Sequence, residues 1–243
     1  MYPFFRSLLF RLDPERAHDL TVSLMRLAGA LPPVRALLHR VFAPATQKPV
    51  HSFGLTFPNP VGLAAGYDKD GLAWRGLACL GFGHIEVGTV TPRPQEGNPK
   101  PRIFRIPEEG AVINRMGFPG KGAEFVYQRI KVEADKRPDV MLGVNIGKNK
   151  DTPNEDAARD YLALLDRFAP LADYLAVNVS SPNTIGLRRL QARDHLESLL
   201  SALVEKRSTL DAQPPILVKL APDLTDAELD DALDAIVSTG IDG

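Results

Sequence analysis

The sequence predicts an α/β fold, a (β/α)8 barrel of which the chain contains about the first five to six βα units. Short, continuous apolar runs alternate with longer stretches of helical periodicity, which is typical of parallel strands covered on both faces. The turn after the first run lacks the G-x-G-x-x-G spacing of a dinucleotide-binding sheet. Each run ends in polar residues, as expected where catalytic groups follow barrel strands.

Composition narrows the function classes. The chain has 243 residues, of which 44% are hydrophobic and 24% charged, as in an ordinary globular domain with a large core. The formal net charge of −1 gives no basic excess, so we expect no nucleic-acid partner. The single cysteine, Cys79, excludes an internal disulfide and a multi-thiolate metal site. No apolar run approaches the ~18 residues of a membrane span, and we expect no secretory signal.

Residues 1–43 form a predicted helical module. Helical spacing of apolar residues is followed by Asp13-Pro14, which predicts a helix start, and by Pro32-Pro33, which predicts a break before a short basic helix. The segment contains six arginines and no lysine. An apolar stripe with an arginine-rich polar side indicates a membrane-surface module. A helical pair packed on its own domain would show the same pattern, so both interpretations stay open here.

Residues 44–243 are predicted to form the N-terminal part of the barrel. The predicted strands span residues 61–65, 84–90, 141–146, 174–179 and 216–220. Helix starts are predicted at Thr152, Asp194 and Thr225, each with a glutamate three residues later, and Gly240 is expected to end the last helix. Residues 241–243 stand where a sixth strand would begin, so we expect an open parallel arc of five or six strands.

The strand ends supply the candidate site. Thr89, Asn145 and Asn178 end strands, and asparagine amides suit a planar heterocycle edged with C=O and N–H groups. Taken alone, such an asparagine is more often a turn or cap residue. Lys219 lies within an apolar strand, and because a buried lysine must be paired or neutralised, we expect it to be functional. No spacing of histidines or carboxylates suits a metal ion.

Five motifs in order resemble those of the dihydroorotate dehydrogenases. They occupy residues 62–70, 86–92, 114–118, 143–147 and 178–183. The helical N-terminal segment, and serine rather than cysteine at Ser181, resemble the membrane-associated, quinone-using class 2. Tyr67 departs from the pattern, since an aliphatic residue is common there, and we expect little effect from it.

The resemblance implies an FMN enzyme that oxidises dihydroorotate to orotate in pyrimidine biosynthesis and passes the electrons to a membrane quinone. It implies peripheral contact with the cytoplasmic side of the cell membrane. It assigns the catalytic base to Ser181. The implied FMN contacts are Ala65, Gly66, Thr89, Asn145, Asn178 and Lys219. The implied substrate contacts are Lys69, Asn114, Arg115, Met116, Gly117, Phe118, Asn178 and Asn183.

Barrels of this kind usually hold the cofactor phosphate in the loops after strands seven and eight. With five βα units and the start of a sixth strand, residues 1–243 do not include those loops, so we expect residues 1–243 alone to form a colourless, unstable or insoluble polypeptide.

Other functions remain open at this point. One is a Schiff-base aldolase on the same barrel with Lys219 as the nucleophile. Another is a catalytically incomplete fragment that acts as a membrane-peripheral helical module. A related flavin barrel that uses a cysteine base or a nicotinamide partner is a nearer variant, but Ser181 and the N-terminal helices argue against it.

Overall fold

The computed structural model describes residues 2–43, 48–134, 138–184 and 186–243. The N-terminal segment contains α1 (Tyr2–Leu9), α2 (Pro14–Ala30) and α3 (Pro32–Phe42). Asp13 caps α2 as predicted, because its side chain accepts hydrogen bonds from the backbone N–H groups of Glu15 and Arg16. The break at Pro32-Pro33 is also confirmed, since α3 begins at Pro32. The predicted domain boundary, between residues 43 and 44, lies at residues outside the described ranges.

The remaining elements alternate strands with helices. In chain order they are β1 (Val50–Ser52), β2 (Leu55–Phe57), β3 (Gly62–Leu63), α4 (Trp74–Ala78), β4 (His84–Val90), β5 (Ile103–Ile106), β6 (Ala111–Asn114), α5 (Gly122–Ala134), β7 (Met141–Ile146), α6 (Ala157–Phe168), β8 (Tyr174–Asn178), α7 (Arg193–Ser208), β9 (Ile216–Lys219) and α8 (Asp226–Thr239). Short 3-10 turns occur at residues 107–109 and 187–191.

Five parallel strands form the main sheet, in the order β3-β4-β7-β8-β9. The strands lie side by side in the same order as they occur along the chain. A helix connects each strand of this sheet to the next, which is the arrangement of a (β/α)8 barrel. Most side chains on the central strands are buried, and Ile85, Val144 and Leu175 are fully buried. All five strands lie where the apolar runs predicted them. The fold class is therefore confirmed as the first part of such a barrel.

A further chain segment lies beside β9. The Asp242 N–H donates to the Ile216 carbonyl at 3.2 Å, and the Val218 N–H donates to the Gly243 carbonyl at 2.8 Å. Residues 242 and 243 thus occupy the position predicted for a sixth strand.

One of the three predicted helix starts has the expected chemistry. Thr225 and Glu228 form a reciprocal capping box before α8, and Gly240 ends that helix with a φ of 72°. The other two predictions were wrong. The Thr152 hydroxyl donates instead to the buried Asp160 at 2.7 Å, so α6 begins five residues later. Asp194 lies inside α7, which begins at Arg193 after the extended Ala192.

The helical segment packs on the barrel through α2 and α4. A Cβ added at Gly76 would lie 2.0 Å from the Met25 carbonyl oxygen, so the two helix backbones are in direct contact. Trp74 is fully buried beside this contact and Cys79 is a buried thiol, as expected for core residues. The opposite surface of the segment remains apolar and exposed. Its large exposed side chains are Phe5, Leu8, Phe10, Leu12, Leu20, Leu24, Leu27, Leu31, Leu37, Val41 and Phe42.

The β1–β2 hairpin covers the amino-terminal end of the sheet. Phe57 of this hairpin packs on Tyr174 and Ala176 in a small second core. The ring of Phe57 also meets His84 edge-on, with 5.5 Å between the ring centroids. This end of the barrel is therefore filled with side chains, and the opposite, carboxyl end is left for a site.

Candidate active site

Three polar side chains at the carboxyl ends of neighbouring strands form one hydrogen-bonded group. The Thr89 hydroxyl donates to Asn145 Oδ1 at 2.5 Å. The Asn178 amide nitrogen donates to the Thr89 hydroxyl oxygen at 2.8 Å and to Asn145 Oδ1 at 3.2 Å. All three residues are buried. We call Thr89, Asn145 and Asn178 the rim network. The sequence predicted these residues as a common site, and the structure brings them together.

The loop after β3 lies beside the rim network. The Gly66 N–H donates to the Gly88 carbonyl at 2.8 Å, which holds Ala65 and Gly66 against the end of β4. Gly66 has a φ of 105°, which favours glycine, and a Cβ at this position would meet no atom within 4 Å. Open space therefore adjoins this backbone, and a planar group could approach it closely.

Lys69 lies in the same loop and is only partly exposed. Its ammonium group donates to the Gly66 carbonyl at 2.5 Å, a neutral oxygen that does not cancel the charge. Burial, together with the positive charge of Arg102, lowers the pKa of Lys69. A bound carboxylate would relieve this unfavourable environment, because an opposite charge favours the protonated ammonium.

Asn114 and Asn183 meet across the mouth of the barrel. Asn183 Nδ2 donates to the Asn114 carbonyl at 3.2 Å. Asn98 joins the same two loops, since its Nδ2 donates to the Arg115 carbonyl at 2.9 Å and to the Asn183 carbonyl at 3.2 Å. The structure thus places two predicted substrate contacts side by side. It also adds Asn98, which sequence reasoning missed.

The other residues of the 114–118 motif differ in how far they are buried. Arg115 is exposed, and its guanidinium donates to the Pro101 carbonyl at 2.9 Å. Met116 and Phe118 are buried. A Cβ on Gly147 would lie 2.6 Å from Thr89 Cγ2 and 3.3 Å from the Phe118 ring, so Phe118 packs beside the rim network. Gly117 turns the chain with a φ of 73°.

Ser181 follows β8 and is partly buried. Its hydroxyl oxygen accepts a hydrogen bond from the Asn183 N–H at 3.3 Å. The preceding Ser180 donates its hydroxyl to Asn178 Oδ1 at 2.8 Å, which ties this loop to the rim network. The predicted base therefore lies between the rim network and the Asn114–Asn183 contact.

The expectation that Lys219 is a buried lysine was wrong. Its strand position is opposite Asn178 in the β8–β9 register, at the rim, but the residue is exposed. The physical reason is that β9 lies at the side of the described sheet, where strand packing covers its end only partly. A different lysine is buried, since Lys148 is 1% exposed and its ammonium donates to the Thr152 carbonyl at 2.7 Å.

A buried ion pair joins α2 to the loop before β5. The Arg102 guanidinium donates to both carboxylate oxygens of Glu15, at 2.6 and 3.2 Å, and also to the carbonyls of Glu96 and Asn98. Arg102 and Lys100 hold the pKa of Glu15 below its usual value, against the effect of burial. Sequence reasoning missed this pair, because neither residue stands in a recognisable pattern.

A cavity of about 340 Å³ lies between α2, the loop after β3 and the β5–β6 hairpin. His18 of α2 lines it, and burial lowers the pKa of that imidazole. Tyr67 lies beside His18 with 5.1 Å between the ring centroids, and its hydroxyl donates to Thr21 of α2 at 2.8 Å. The residue that departs from the motif thus contacts the helical segment. The other lining residues are Pro14, Gly66, Lys69, Ile103, Arg105, Val112, Asn114 and Met116.

Neither a metal-binding cluster nor a bilayer-spanning helix occurs in the described ranges. In residues 2–43, 48–134, 138–184 and 186–243, no group of three or more His, Cys, Asp or Glu side chains is arranged to hold a metal ion. Within the same ranges, every helix is too short or too polar to cross a bilayer.

Comparison with known proteins identifies the family. The family model described as Dihydroorotate dehydrogenase matches residues 49–243. The chain is 50% identical over its whole length to proteins named Dihydroorotate dehydrogenase (quinone) from Stenotrophomonas maltophilia (strain R551-3) and Azotobacter vinelandii, and it covers 69% of each. A crystal structure of DHODH in complex with ferulenol from Eimeria tenella matches 95% of the chain with a TM-score of 0.84 and 42% identity, and the chain covers 65% of it.

These findings confirm the prediction that the motifs made, including the quinone-dependent class for which the relatives are named. The chain spans about two thirds of the length of these relatives. The family is one of flavin-dependent oxidoreductases. With the family model, the relatives and the structural match in agreement, this chain belongs to the dihydroorotate dehydrogenase family.

Proposed function

We propose that this chain provides the FMN and dihydroorotate sites of a quinone-dependent dihydroorotate dehydrogenase that works at a membrane surface. The observation that carries the proposal is the rim network, with Gly66 and Lys69 beside it. Amides and hydroxyls in fixed directions suit a planar heterocycle, while an incompletely compensated ammonium suits a carboxylate.

The residues at the rim fit FMN. Gly66 leaves open space for a flat ring system. Asn145 keeps one amide N–H beyond its bond to Glu86 that could donate to the ring, whereas Asn178 would exchange bonds it now makes to Thr89, Asn145 and Ser180 for bonds to the imide edge. Lys219, opposite Asn178 in register, would bring a positive charge to that edge and stabilise the reduced form. Ala65 and Thr89 complete the proposed set. When bound, FMN accepts two electrons from the substrate and passes them to the quinone.

Dihydroorotate would lie between the rim network and the Asn114–Asn183 contact. Lys69 would pair with its carboxylate and fix the orientation of the ring. The backbone and side chains of residues 114–118 and Asn183 would enclose the substrate from the other side. Oxidation removes a proton from C5, next to a carbonyl, and a hydride, with both electrons, from C6. Ser181 would take the C5 proton while its own hydroxyl proton passes on to water, and it lies between the two groups that would position the ring.

The helical segment would connect this site to the membrane. Its exposed apolar side chains, together with the exposed Val112 and Ile113 of β6, form a surface suited to lipid. The cavity between α2 and the hairpin reaches Gly66 and Lys69 from that side. It would serve as the quinone's access route, with the protein peripheral on the cytoplasmic side of the cell membrane.

The aldolase alternative is disfavoured by the placement of Lys219. A Schiff-base lysine needs burial or a neighbouring cation to lower its pKa and free its amine. Lys219 is exposed, so burial does not provide that activation.

The identity of the flavin tests the cofactor proposal. We expect the complete protein encoded by the gene to release FMN, not FAD or riboflavin, when it is denatured and the supernatant is chromatographed. Asn178→Leu removes an amide from the rim network and should weaken FMN binding about tenfold or more. Release of FAD, or retention of full flavin content by Asn178→Leu, would contradict the proposal. Ser201→Ala, on the exposed part of α7, serves as the control.

Asn98 offers a separate test of the substrate site. Asn98→Ala removes two hydrogen bonds that join residues 114–118 to Asn183. We expect the KM for dihydroorotate to rise about tenfold with a smaller change in kcat and unchanged FMN content. Lys150→Ala is the matched control, because Lys150 contacts the Asn98 side chain from the exposed side at 3.1 Å. Equal KM values for Asn98→Ala and Lys150→Ala would count against this placement of the substrate.

A further inference from the structure

Glu86 is a partly exposed residue of strand β4, whose other polar residues are His84 and Thr89. Its Oε1 accepts a hydrogen bond from Asn145 Nδ2 of β7 at 2.8 Å. Its Oε2 accepts from the Tyr174 hydroxyl of β8 at 3.2 Å. The carboxyl group thus lies under the rim network, on the side away from the open space, and links three strands.

These two bonds determine which way the Asn145 amide faces. Both carboxyl oxygens act as acceptors, so the NH2 group of Asn145 faces Glu86 and its Oδ1 faces the rim network. Asn145 Oδ1 then accepts from Thr89 and from Asn178 Nδ2. Asn178 in turn has its Oδ1 directed at Ser180, from whose N–H and hydroxyl it accepts at 3.1 and 2.8 Å. The orientation of the Asn145 amide is therefore set by Glu86, and the orientation of the Asn178 amide is set in turn by Asn145.

Aromatic side chains surround the Glu86 carboxyl group. Burial, with the nearby carboxylate of Glu86, raises the pKa of Tyr174, so the phenol keeps its proton and donates. His84, two residues before Glu86, lies near Tyr174 with 6.4 Å between the ring centroids. Burial lowers the pKa of His84 and favours the neutral imidazole. Phe57 packs on both rings and covers the group from below.

We propose that Glu86 is a positioning residue for the flavin. It fixes the amide directions of Asn145 and Asn178, and hence the pattern of donors and acceptors that the rim network presents to the heterocycle. The inference rests on the proposed FMN site. It assigns to Glu86 no contact with flavin or substrate, so its effect passes through Asn145.

Glu86→Leu removes the acceptor and leaves Asn145 Nδ2 without its partner. We expect FMN affinity to fall about tenfold or more, because a buried donor is left unsatisfied. We also expect the side-chain amide protons of Asn145 to exchange faster with solvent in NMR spectra of the flavin-free protein. Glu86→Gln should restore FMN affinity to within about threefold, since its Oε1 can accept from Asn145 and its NH2 can donate to the Tyr174 oxygen.

Phe57→Leu is the matched control. It removes packing from the same cluster and leaves every hydrogen bond of Glu86 in place. We expect it to lower the Tm but to keep FMN affinity within about twofold of wild type. A loss of FMN affinity in Phe57→Leu equal to that in Glu86→Leu would overturn the proposal, because general destabilisation would then account for both.

If Glu86→Leu does not fold, Glu86→Gln with Tyr174→Phe carries the test. Without the Tyr174 hydroxyl, the glutamine amide can face Asn145 in either direction. We expect two sets of side-chain amide signals for Asn145 and Asn178, and a single wild-type set would overturn the proposal. Wild-type FMN affinity and amide exchange in a folded Glu86→Leu would overturn it equally. Failure of the complete wild-type protein encoded by the gene to bind FMN is a different result, and it would refute the proposed cofactor itself.

Discussion

Ser181→Ala should bind FMN normally and yet reduce it with dihydroorotate about 10²–10⁴ times more slowly than the wild type, the range expected when a positioned general base is lost. The hydroxyl lies after β8, held by the Asn183 N–H, and does not contribute to the rim network. Its removal should therefore affect proton transfer and leave cofactor binding intact. The measurement is the rate at which flavin absorbance decreases after anaerobic mixing with dihydroorotate.

Two further variants separate proton transfer from local packing. Ser181→Cys should retain more activity than Ser181→Ala, and its rate should rise with pH as the thiol ionises near its ordinary pKa of about 8.5. Ser180→Ala removes one hydrogen bond to Asn178. Its rate of flavin reduction should fall at most about tenfold, mainly because FMN binds more weakly. If Ser181→Ala reduced its flavin at the wild-type rate, Ser181 would not be the catalytic base.

Replacing exposed apolar side chains of the helical segment with aspartate should abolish turnover with a long-tailed quinone in vesicles. Leu24 and Leu27 of α2 and Leu37 and Val41 of α3 are each more than half exposed, so their substitution leaves the α2–α4 contact intact. Each substitution should remove about 1 kcal/mol of the free energy gained when an apolar side chain enters the membrane. Together the four should weaken binding to vesicles at least about 100-fold. Binding is measured by vesicle cosedimentation, and turnover is followed with vesicle-embedded quinone.

The same variant should retain its activity with a small water-soluble electron acceptor. Deleting residues 1–43 would be a less specific test, because it would expose the face of α4 at Gly76 and remove Glu15 from the buried Arg102. Loss of activity with both acceptors would indicate a folding defect. Undiminished turnover of vesicle-embedded quinone would disprove the membrane role of these side chains.

The strands were predictable because a strand buried on both faces is a short, continuous run of apolar residues in the sequence. A strand such as β7 is apolar except for Asn145, its second-to-last residue, at the carboxyl end. The capping box at Thr225 was also predictable, since both partners lie within one turn. Thr152 has the same local pattern but bonds to Asp160, a tertiary partner that the local sequence does not reveal.

The candidate site was predictable as a set of residues, and its connections were not. Asn145 and Asn178 could be placed together because parallel strands end at one edge of a sheet. Glu86 was visible as a charged residue within a predicted strand, but its hydrogen bonds to Asn145 and Tyr174 were not. The Glu15–Arg102 pair joins residues 87 positions apart, and neither residue lies in a periodic pattern. Only the folded arrangement reveals such a contact.

The central claim is that the rim network holds a flavin that dihydroorotate can reduce. Anaerobic addition of dihydroorotate to the complete protein encoded by the gene, followed by its absorption spectrum, tests this most directly. We predict a yellow protein whose flavin absorbance disappears with one equivalent of dihydroorotate and returns when quinone is added. A protein that binds flavin but keeps it oxidised in excess dihydroorotate would contradict the account.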